Sequence, residues 1–156
     1  MNKLNQRKAT LSDLPAIITL LIDDELGENR EINHEQLDQR YLDAFHLINT
    51  DPNQYLMVVT NPIDIVGTCH LTLMPSLTFT GSTRLQIEAV RIAKKHRGQK
   101  IGEWMMSQAI AFATSNNAHI IQLTTNKERP RAKQFYERLG FKATHEGMKY
   151  YLQDPQ

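Results

Sequence analysis

The chain has 156 residues, of which 40% are hydrophobic and 22% are charged, a composition typical of one folded globular domain. It carries 18 lysines and arginines against 17 aspartates and glutamates, and this formal net charge of +1 argues against a nucleic-acid partner. The single cysteine, Cys69, excludes an internal disulfide, and the histidines lack the spacing of a metal site. Without a signal-peptide pattern or an apolar run of roughly 20 residues, the sequence predicts a cytoplasmic protein with no membrane partner.

The first third of the chain predicts two helices. Thr10 followed by Asp13 resembles a capping box, and apolar residues at three-and-four spacing then predict an amphipathic helix over residues 14–22. Residues 23–30 form a polar, glycine-containing break. The second predicted helix has one apolar face, formed by Leu37, Tyr41, Phe45 and Ile48.

Three strands are predicted next. Residues 54–60 and 65–73 are rich in β-forming residues, and the turn formers at 61–64 join them as a hairpin. A third strand is predicted over residues 84–92. Its alternation places Leu85, Ile87 and Ala89 on one face and Gln86, Glu88 and Val90 on the other.

Helices and strands alternate in the second half of the chain. A helix is predicted over residues 102–115, with its apolar stripe formed by Ile101, Trp104, Met105, Ala109 and Phe112. A short strand at 120–124 precedes a helix that Gly140 closes as its C-cap. Residues 141–144 and 148–152 read as a closing pair of strands around Gly147. Strands that first pair as hairpins and later alternate with helices predict an α/β (α+β) fold, in which helices cover a mixed sheet.

The loop at residues 94–100, KKHRGQK, lies between a predicted strand and a predicted helix. The first turn of a helix exposes unpaired backbone N–H groups that bind phosphate, and glycines such as Gly98 and Gly102 let a ligand approach the backbone. Four cationic side chains lie beside them. The loop is therefore a candidate diphosphate site, and an ordinary solvated basic loop is the alternative.

Two motifs carry a family resemblance. The run from Arg97 to Gly102 resembles the acetyl-CoA-binding motif [Q/R]-x-x-G-x-[G/A] of the GNAT N-acetyltransferase superfamily, with Lys100 where the middle glycine is usual. Downstream, Ala132 begins the run A-x-x-F-Y-E-R-L-G-F, which is characteristic of the same superfamily. Arg129 stands where many members have asparagine, and Asn126 is a candidate replacement for it.

The resemblance implies the GNAT fold as a single domain over residues 1–156, with about six to seven strands flanked by about four helices. It also implies an acetyl-CoA-dependent N-acetyltransferase without a metal. The expected reaction is direct attack, in a ternary complex, by a primary amine of an unidentified small molecule. A protein or peptide N-acetyltransferase and a non-catalytic acyl-CoA-binding module are the alternatives, and a homodimer is one expected assembly.

For the acyl donor, the resemblance assigns the diphosphate to the backbone amides of residues 98–102 and the pantetheine arm to the edge of the strand at residues 88–92. A backbone N–H near Val90 or Arg91 is a candidate donor to the thioester carbonyl. The predicted cofactor-binding residues are Val90, Arg91, Ile92, Arg97, Gly98, Gln99, Lys100, Ile101, Gly102, Asn126, Arg129, Arg131 and Tyr136.

For the chemistry, Tyr136 is the expected general acid for the departing thiolate, and a packed core tyrosine is the alternative. Glu88 is the first candidate for the base that deprotonates the amine, and His70 is the second. An ion pair between Glu88 and Arg84 or Arg91 is the competing interpretation. The predicted acceptor-binding residues are Asp24, Arg30, His70 and Gln86.

Overall fold

The computed structural model describes residues 3–23, 31 and 36–153 of the protein. Its internal contacts divide the chain into two compact units, Met1–Gln122 and Leu123–Gln156. The single domain expected over residues 1–156 therefore stays a prediction.

A five-stranded sheet dominates the first unit, with its strands in the order β1-β2-β3-β4-β5. The strands are β1 (Asn5–Lys8), β2 (Gln54–Thr60), β3 (Ile65–Met74), β4 (Thr83–Ile92) and β5 (Ala118–Leu123). The first four pair in antiparallel fashion. The four strands expected in this part of the chain are confirmed to within two residues, and β1 was not predicted.

The helices confirm the predicted α/β class. They are α1 (Leu14–Ile22), α2 (Gln39–Thr50) and α4 (Ile101–Ser115) in the first unit, and α5 (Pro130–Arg138) in the second. The single turn α3 (Thr78–Gly81), before β4, contains residues with positive φ and is not a regular right-handed helix. The predicted capping box is present ahead of α1, where the Thr10 N–H donates to Asp13 Oδ2 at 2.8 Å. The glycine that was predicted as the C-cap of α5 lies one position beyond it, since Leu139 is the C-cap and Gly140 follows it with φ +98° and an N–H that donates to the Glu137 carbonyl.

The closing strands expected at residues 141–144 and 148–152 are absent from the described part of the second unit, which contains no strand after β5. The apolar side chains of this segment do not bury a face. Met148 is 93% exposed and Leu152 is 90% exposed. A strand pair without a buried face gains little from pairing in water. The described sheet accordingly has five strands, fewer than the six to seven expected.

The two faces of the sheet bury different helices. Tyr55 of β2 contacts Phe112 of α4, with 4.9 Å between ring centres, so α4 covers the face of the sheet to which Tyr55 belongs. The fully buried residues on this face are Cys69, Leu71, Leu85 and Ile87. Val58, on the opposite face of β2, belongs to the core that α1 and Phe45 of α2 cover. Burying a side chain of this size stabilises the fold by about 1.5–3 kcal/mol.

A β-bulge interrupts β4 after Glu88. Cys69 of β3 stands opposite both Ala89 and Val90, because Thr68 pairs with Arg91 while His70 pairs with Glu88. Ala89 adopts φ +51° and is exposed. The predicted alternation therefore holds for Leu85 and Ile87 but is wrong for Ala89, since an inserted residue breaks the period of two.

Candidate functional site

The loop that leads into α4 exposes backbone donors. Gly98 has φ +77°, and Lys100, the N-cap of α4, has φ +61° and makes no side-chain capping hydrogen bond. The N–H groups at the start of a helix have no partner within the helix, so the first turn of α4 is a site that favours an anion. A Cβ atom added to Gly98 would meet nothing within 4 Å, so the loop is open at this point. The geometry suits the predicted diphosphate site.

The left-handed conformation of Lys100 explains why its motif position usually holds glycine. Glycine adopts positive φ without cost, whereas another L-residue there is strained by about 1–2 kcal/mol. The loop keeps this backbone shape even though lysine replaces glycine.

Arg97 uses its side chain to hold the loop. Its Nε donates to the Ile92 carbonyl at 3.1 Å, and its Nη2 donates to the Asp23 carbonyl at 3.0 Å, which ties the end of β4 to the residue that follows α1. Lys95 is likewise engaged, with its Nζ 2.7 Å from Asp64 Oδ2 in the β2–β3 turn. The predicted cofactor contacts of Arg97 and its neighbours stay predictions.

A row of polar side chains crosses the sheet on the face opposite α4. We call Gln54, His70, Arg84, Gln86, Glu88 and Gln122 the polar row. His70 of β3 stands directly across from Glu88 of β4, and Thr72 stands across from Gln86, so these side chains share one face. Side-chain hydrogen bonds extend the row to both neighbouring strands: His70 Nε2 lies 2.7 Å from Gln54 Oε1, and Gln122 Nε2 donates to Gln86 Oε1 at 2.8 Å.

His70 and Glu88, the two candidate bases, thus lie side by side. Burial lowers the pKa of His70, and the negative charge of Glu88 opposes this shift. An amide oxygen accepts hydrogen bonds, so Gln54 Oε1 places the His70 proton on Nε2 and leaves the lone pair on Nδ1. Glu88 is exposed. The pair therefore combines an accessible carboxylate with a neutral imidazole.

Arg84 does not neutralise Glu88, since it forms no ion pair with any residue in the described ranges. Its Nη2 donates to Thr78 Oγ1 at 2.7 Å and its Nη1 to Gln122 Oε1 at 3.4 Å. The competing interpretation is therefore wrong for Arg84. Arg91 donates from Nη1 to the Val90 carbonyl at 2.9 Å.

Tyr136 lies on α5 in the second unit, in an aromatic cluster with Phe135 and Phe141 at 5.2 Å and 5.8 Å between ring centres. It is only partly buried, so packing does not account for the whole side chain. Asn126 accepts from the Glu128 N–H with its side chain and from the Arg129 N–H with its carbonyl, which shapes the turn ahead of α5. Arg131 is exposed.

The acceptor residues Asp24 and Arg30 lie outside the described residues. Nearby, Tyr41 of α2 donates its hydroxyl to the Glu31 carboxylate. The described residues contain no group of three His, Cys, Asp or Glu side chains arranged to hold a metal. Within the same ranges, no helix combines the length and hydrophobicity needed to cross a membrane.

Sequence reasoning missed three members of the polar row. Arg84 alternates with Leu85 and so could have been placed on the polar face of β4. Gln54 and Gln122 gave no local signal, because their place beside β3 and β4 depends on the order of strands in the sheet.

The chain is similar to known proteins over most of its length. The model of the Acetyltransferase (GNAT) family matches residues 16–141. An aminoalkylphosphonate N-acetyltransferase of Salmonella typhimurium is 29% identical over 139 residues, which are 89% of this chain and 85% of that protein.

Solved structures show the same fold. A protein named as a transcriptional regulator from Bacillus halodurans C-125 is 44% identical, with a TM-score of 0.93 and coverage of 96% of this chain and 100% of that chain. A protein named as a predicted acetyltransferase from Clostridium acetobutylicum, solved with acetyl-CoA, is 20% identical, with a TM-score of 0.74 and coverage of 96% of this chain and 97% of that chain. At that identity the second likeness concerns the fold alone.

Proposed function

Because the chain belongs to the acetyltransferase (GNAT) family, whose model covers residues 16–141, we propose that it transfers acetyl from acetyl-CoA to a primary amine of a small molecule. It is an acyltransferase, and acetyl-CoA is the acyl donor of this family. The acceptor class is supported by the Salmonella typhimurium relative, whose name gives an aminoalkylphosphonate as its substrate. The name of the Bacillus halodurans protein gives it a role in transcriptional regulation, and this role is not part of our proposal for the present chain.

One observation carries the proposal: a single continuous segment bears both a candidate base and a candidate anion site. Glu88 of β4 faces His70 of β3, and the bulge at Ala89 follows it directly. The chain then continues through the basic loop at residues 94–100 into the first turn of α4, which has no side-chain cap. A substrate bound by its diphosphate at the loop and extended along β4 would bring its reactive end toward Glu88.

The backbone donors of residues 98–102 fit the diphosphate of acetyl-CoA. Gly98 and Lys100 have the positive φ values that turn this loop toward the helix start, and no capping side chain competes for the first N–H groups of α4. Lys94 and Lys100, both exposed, would add positive charge. The sheet order places β4 between β3 and β5, so β4 is not an edge strand over its whole length. Pairing of the pantetheine amides with β4 at Val90 to Ile92 belongs to the same proposal and requires that β5 leave this stretch of β4 open.

The bulge would supply the donor that polarises the thioester. Because two residues of β4 oppose one residue of β3 there, the regular ladder is broken at Ala89 and Val90. Bulges are over-represented next to active sites, where they redirect backbone and side-chain groups. A backbone N–H at Val90 or Arg91 is our candidate donor to the thioester carbonyl oxygen.

The proposed chemistry is direct transfer. The amine nitrogen attacks the thioester carbonyl carbon, the N–C bond forms, and the C–S bond breaks. Glu88, with His70 beside it, takes the proton that the amine must lose, and Tyr136 protonates the departing thiolate. The role of Tyr136 as the acid is assigned from its position in the A-x-x-F-Y-E-R-L-G-F motif.

Thiol release by the purified protein tests this function. We expect coenzyme A thiol to appear slowly from acetyl-CoA alone and much faster when a panel of small primary amines is added, with acetylated amine formed in equal amount. A matched panel of tertiary amines of similar basicity, which cannot give a stable amide, is the control. Release that is independent of any amine would contradict the proposal.

A further inference from the structure

At one end of the polar row, Arg84 of β4 contacts the turn between β3 and β4. Arg84 is partly buried, and its guanidinium donates to Thr78 Oγ1 at 2.7 Å and to Gln122 Oε1 at 3.4 Å. Its Cζ lies 5.6 Å from the centre of the Phe79 ring. Contacts from β5 and from the turn that contains Thr78 and Phe79 therefore fix the orientation of the guanidinium.

All of these partners are neutral. Within the described residues Arg84 forms no ion pair, and its Nε is enclosed without a hydrogen-bond partner. A guanidinium is a planar set of donors that matches an oxyanion, and it is always charged. Nη1 and Nη2 each carry two hydrogens, and each donates to one neutral partner, so a hydrogen is left on both terminal nitrogens. A partly buried cation that neutral groups hold in place in this way is prepared to bind an anion from solution.

The turn beside Arg84 has an unusual backbone. Phe79, Thr80 and Gly81 have successive φ values of +51°, +58° and +73°, and only the third is a glycine. Local hydrogen bonds keep this shape, among them Ser82 Oγ to the Phe79 carbonyl at 2.7 Å. Strained backbone of this kind is concentrated at ligand-binding sites. Here it keeps the Phe79 ring over Arg84 although Phe79 is 70% exposed.

Arg84 and Glu88 lie on the same face of β4, four residues apart, with Gln86 between them. At about 3.4 Å per residue their Cα atoms are about 14 Å apart, and both side chains are long enough to reach into this interval. Gln86 accepts from Gln122, which also accepts from Arg84, so one hydrogen-bonded chain runs from the cation toward the carboxylate. The row suits a small molecule with a negative end and an amine end.

We propose that Arg84 determines acceptor specificity by binding an oxyanion, a phosphonate or a carboxylate, on the same small molecule whose amine is acetylated near Glu88. This inference rests on the proposed function. Gln86 and Gln122 lie between the two ends, where their amides contact the linking carbons or a second oxygen of the acid.

Three amines of similar length test this assignment: 2-aminoethylphosphonate, β-alanine and propylamine. We expect the wild type to have a higher kcat/KM for at least one acid than for propylamine. Arg84→Met should lower kcat/KM for the preferred acid about 10- to 100-fold, the usual range for losing a hydrogen-bonded charge, while leaving propylamine within about twofold. Arg84→Lys should recover part of the loss, and the comparison of the two acids identifies the oxyanion.

Arg40→Met is the matched control, because it also removes one arginine but from the exposed surface of α2, where Arg40 pairs with Asp38 at 3.0 Å. It should leave all three amines unchanged. Equal losses for acids and propylamine in Arg84→Met, or no loss for the acids, would overturn the inference.

Inhibition of the wild type gives a second readout that does not depend on a variant folding. Methylphosphonate and acetate, as oxyanions without an amine, should compete with the amine acceptor and not with acetyl-CoA. Absence of competition by both would overturn the inference. If the wild type acetylates propylamine and the acids equally, only the inference fails; if it acetylates no amine although it binds acetyl-CoA, the proposed function fails.

Discussion

Glu88 and His70 differ in environment although their backbones face each other. Glu88 is exposed, whereas burial lowers the pKa of His70 and leaves its imidazole neutral at neutral pH. The accessible carboxylate of Glu88 can bind a charged amine. The imidazole of His70 can accept a proton from that amine through Nδ1. A carboxylate next to a partly buried base is an arrangement suited to removing a proton from an ammonium group.

Glu88→Gln tests the carboxylate. A general base typically contributes 10²–10⁴-fold to rate, so we expect kcat/KM to fall by about 100-fold or more. The pH-rate profile should also change, because His70 is left as the remaining candidate base. Rates measured from pH 5 to 9 check this.

Glu146→Gln is the control, since Glu146 is exposed in the second unit. It should reproduce the wild-type profile. A Glu88→Gln profile that superimposes on the wild type would remove Glu88 from the base role.

The pairing of Glu88 with His70 was only partly predictable. The period of two placed Glu88 on a polar face, and the apolar hairpin placed His70 on a neighbouring strand. That they are direct partners depends on the register of β3 and β4, which no local pattern reports. The strained turn at Phe79 was unpredictable, because two of its three residues with positive φ are ordinarily disfavoured there.

At the scale of elements, β1 and α1 are joined by an ion pair at the start of α1. Arg7 of β1 donates from both terminal nitrogens to Asp13, at 2.6 Å and 2.9 Å, while Asp13 also accepts from Thr10. The hydrogen bond from Arg7 is the main cause that lowers the pKa of Asp13 from its ordinary value of 3.8 to about 2. The edge strand and the first helix therefore stabilise each other.

Asp13→Asn should lower the free energy of unfolding at pH 7 by about 1–2 kcal/mol, a value reduced for the partial exposure of Arg7. Since the folded-state pKa of Asp13 lies below its unfolded value, this stability is fully present above about pH 4 and is lost as pH falls through about 2. Denaturant unfolding at pH 7, 5 and 3 measures the difference between wild type and variant. Equal stability at pH 7, or a difference that grows toward pH 3, would contradict the account.

The elements that could be predicted from the sequence are those that bury one apolar face. Strands β2, β3 and β4 and helices α1 and α4 were predicted to within one residue, because burial imposes their periodicity. Leu37, which was predicted on the apolar face of the second helix, lies instead before the start of α2. β1 was missed since NQRK is wholly polar and lies at the sheet edge, where its place comes from pairing with β2. The C-terminal segment produced the opposite error: its aromatic and apolar residues suggested strands, yet Tyr150 is 90% exposed.

At the scale of the whole molecule, the donor end and the acceptor end of the site differ in how they are encoded. The proposed acetyl-CoA site is a continuous stretch from β4 to α4, so its motif could be read from the sequence even with Lys100 replacing the usual glycine. The proposed acceptor site combines side chains from four strands and the turn at Thr78–Gly81. Only the folded sheet brings these residues together.

The central claim is that the first turn of α4 binds the diphosphate of acetyl-CoA. Calorimetry with acetyl-CoA tests it directly on the wild type and on two variants. Gly102→Glu adds a carboxylate to the first turn of α4, next to the exposed Glu103, and Ser107→Glu adds one at an exposed position further along the same helix. We predict one-to-one binding to the wild type and to Ser107→Glu, and at least tenfold weaker binding to Gly102→Glu, with all three proteins folded by circular dichroism. No heat with the wild type, or equal affinity in all three, would contradict the account.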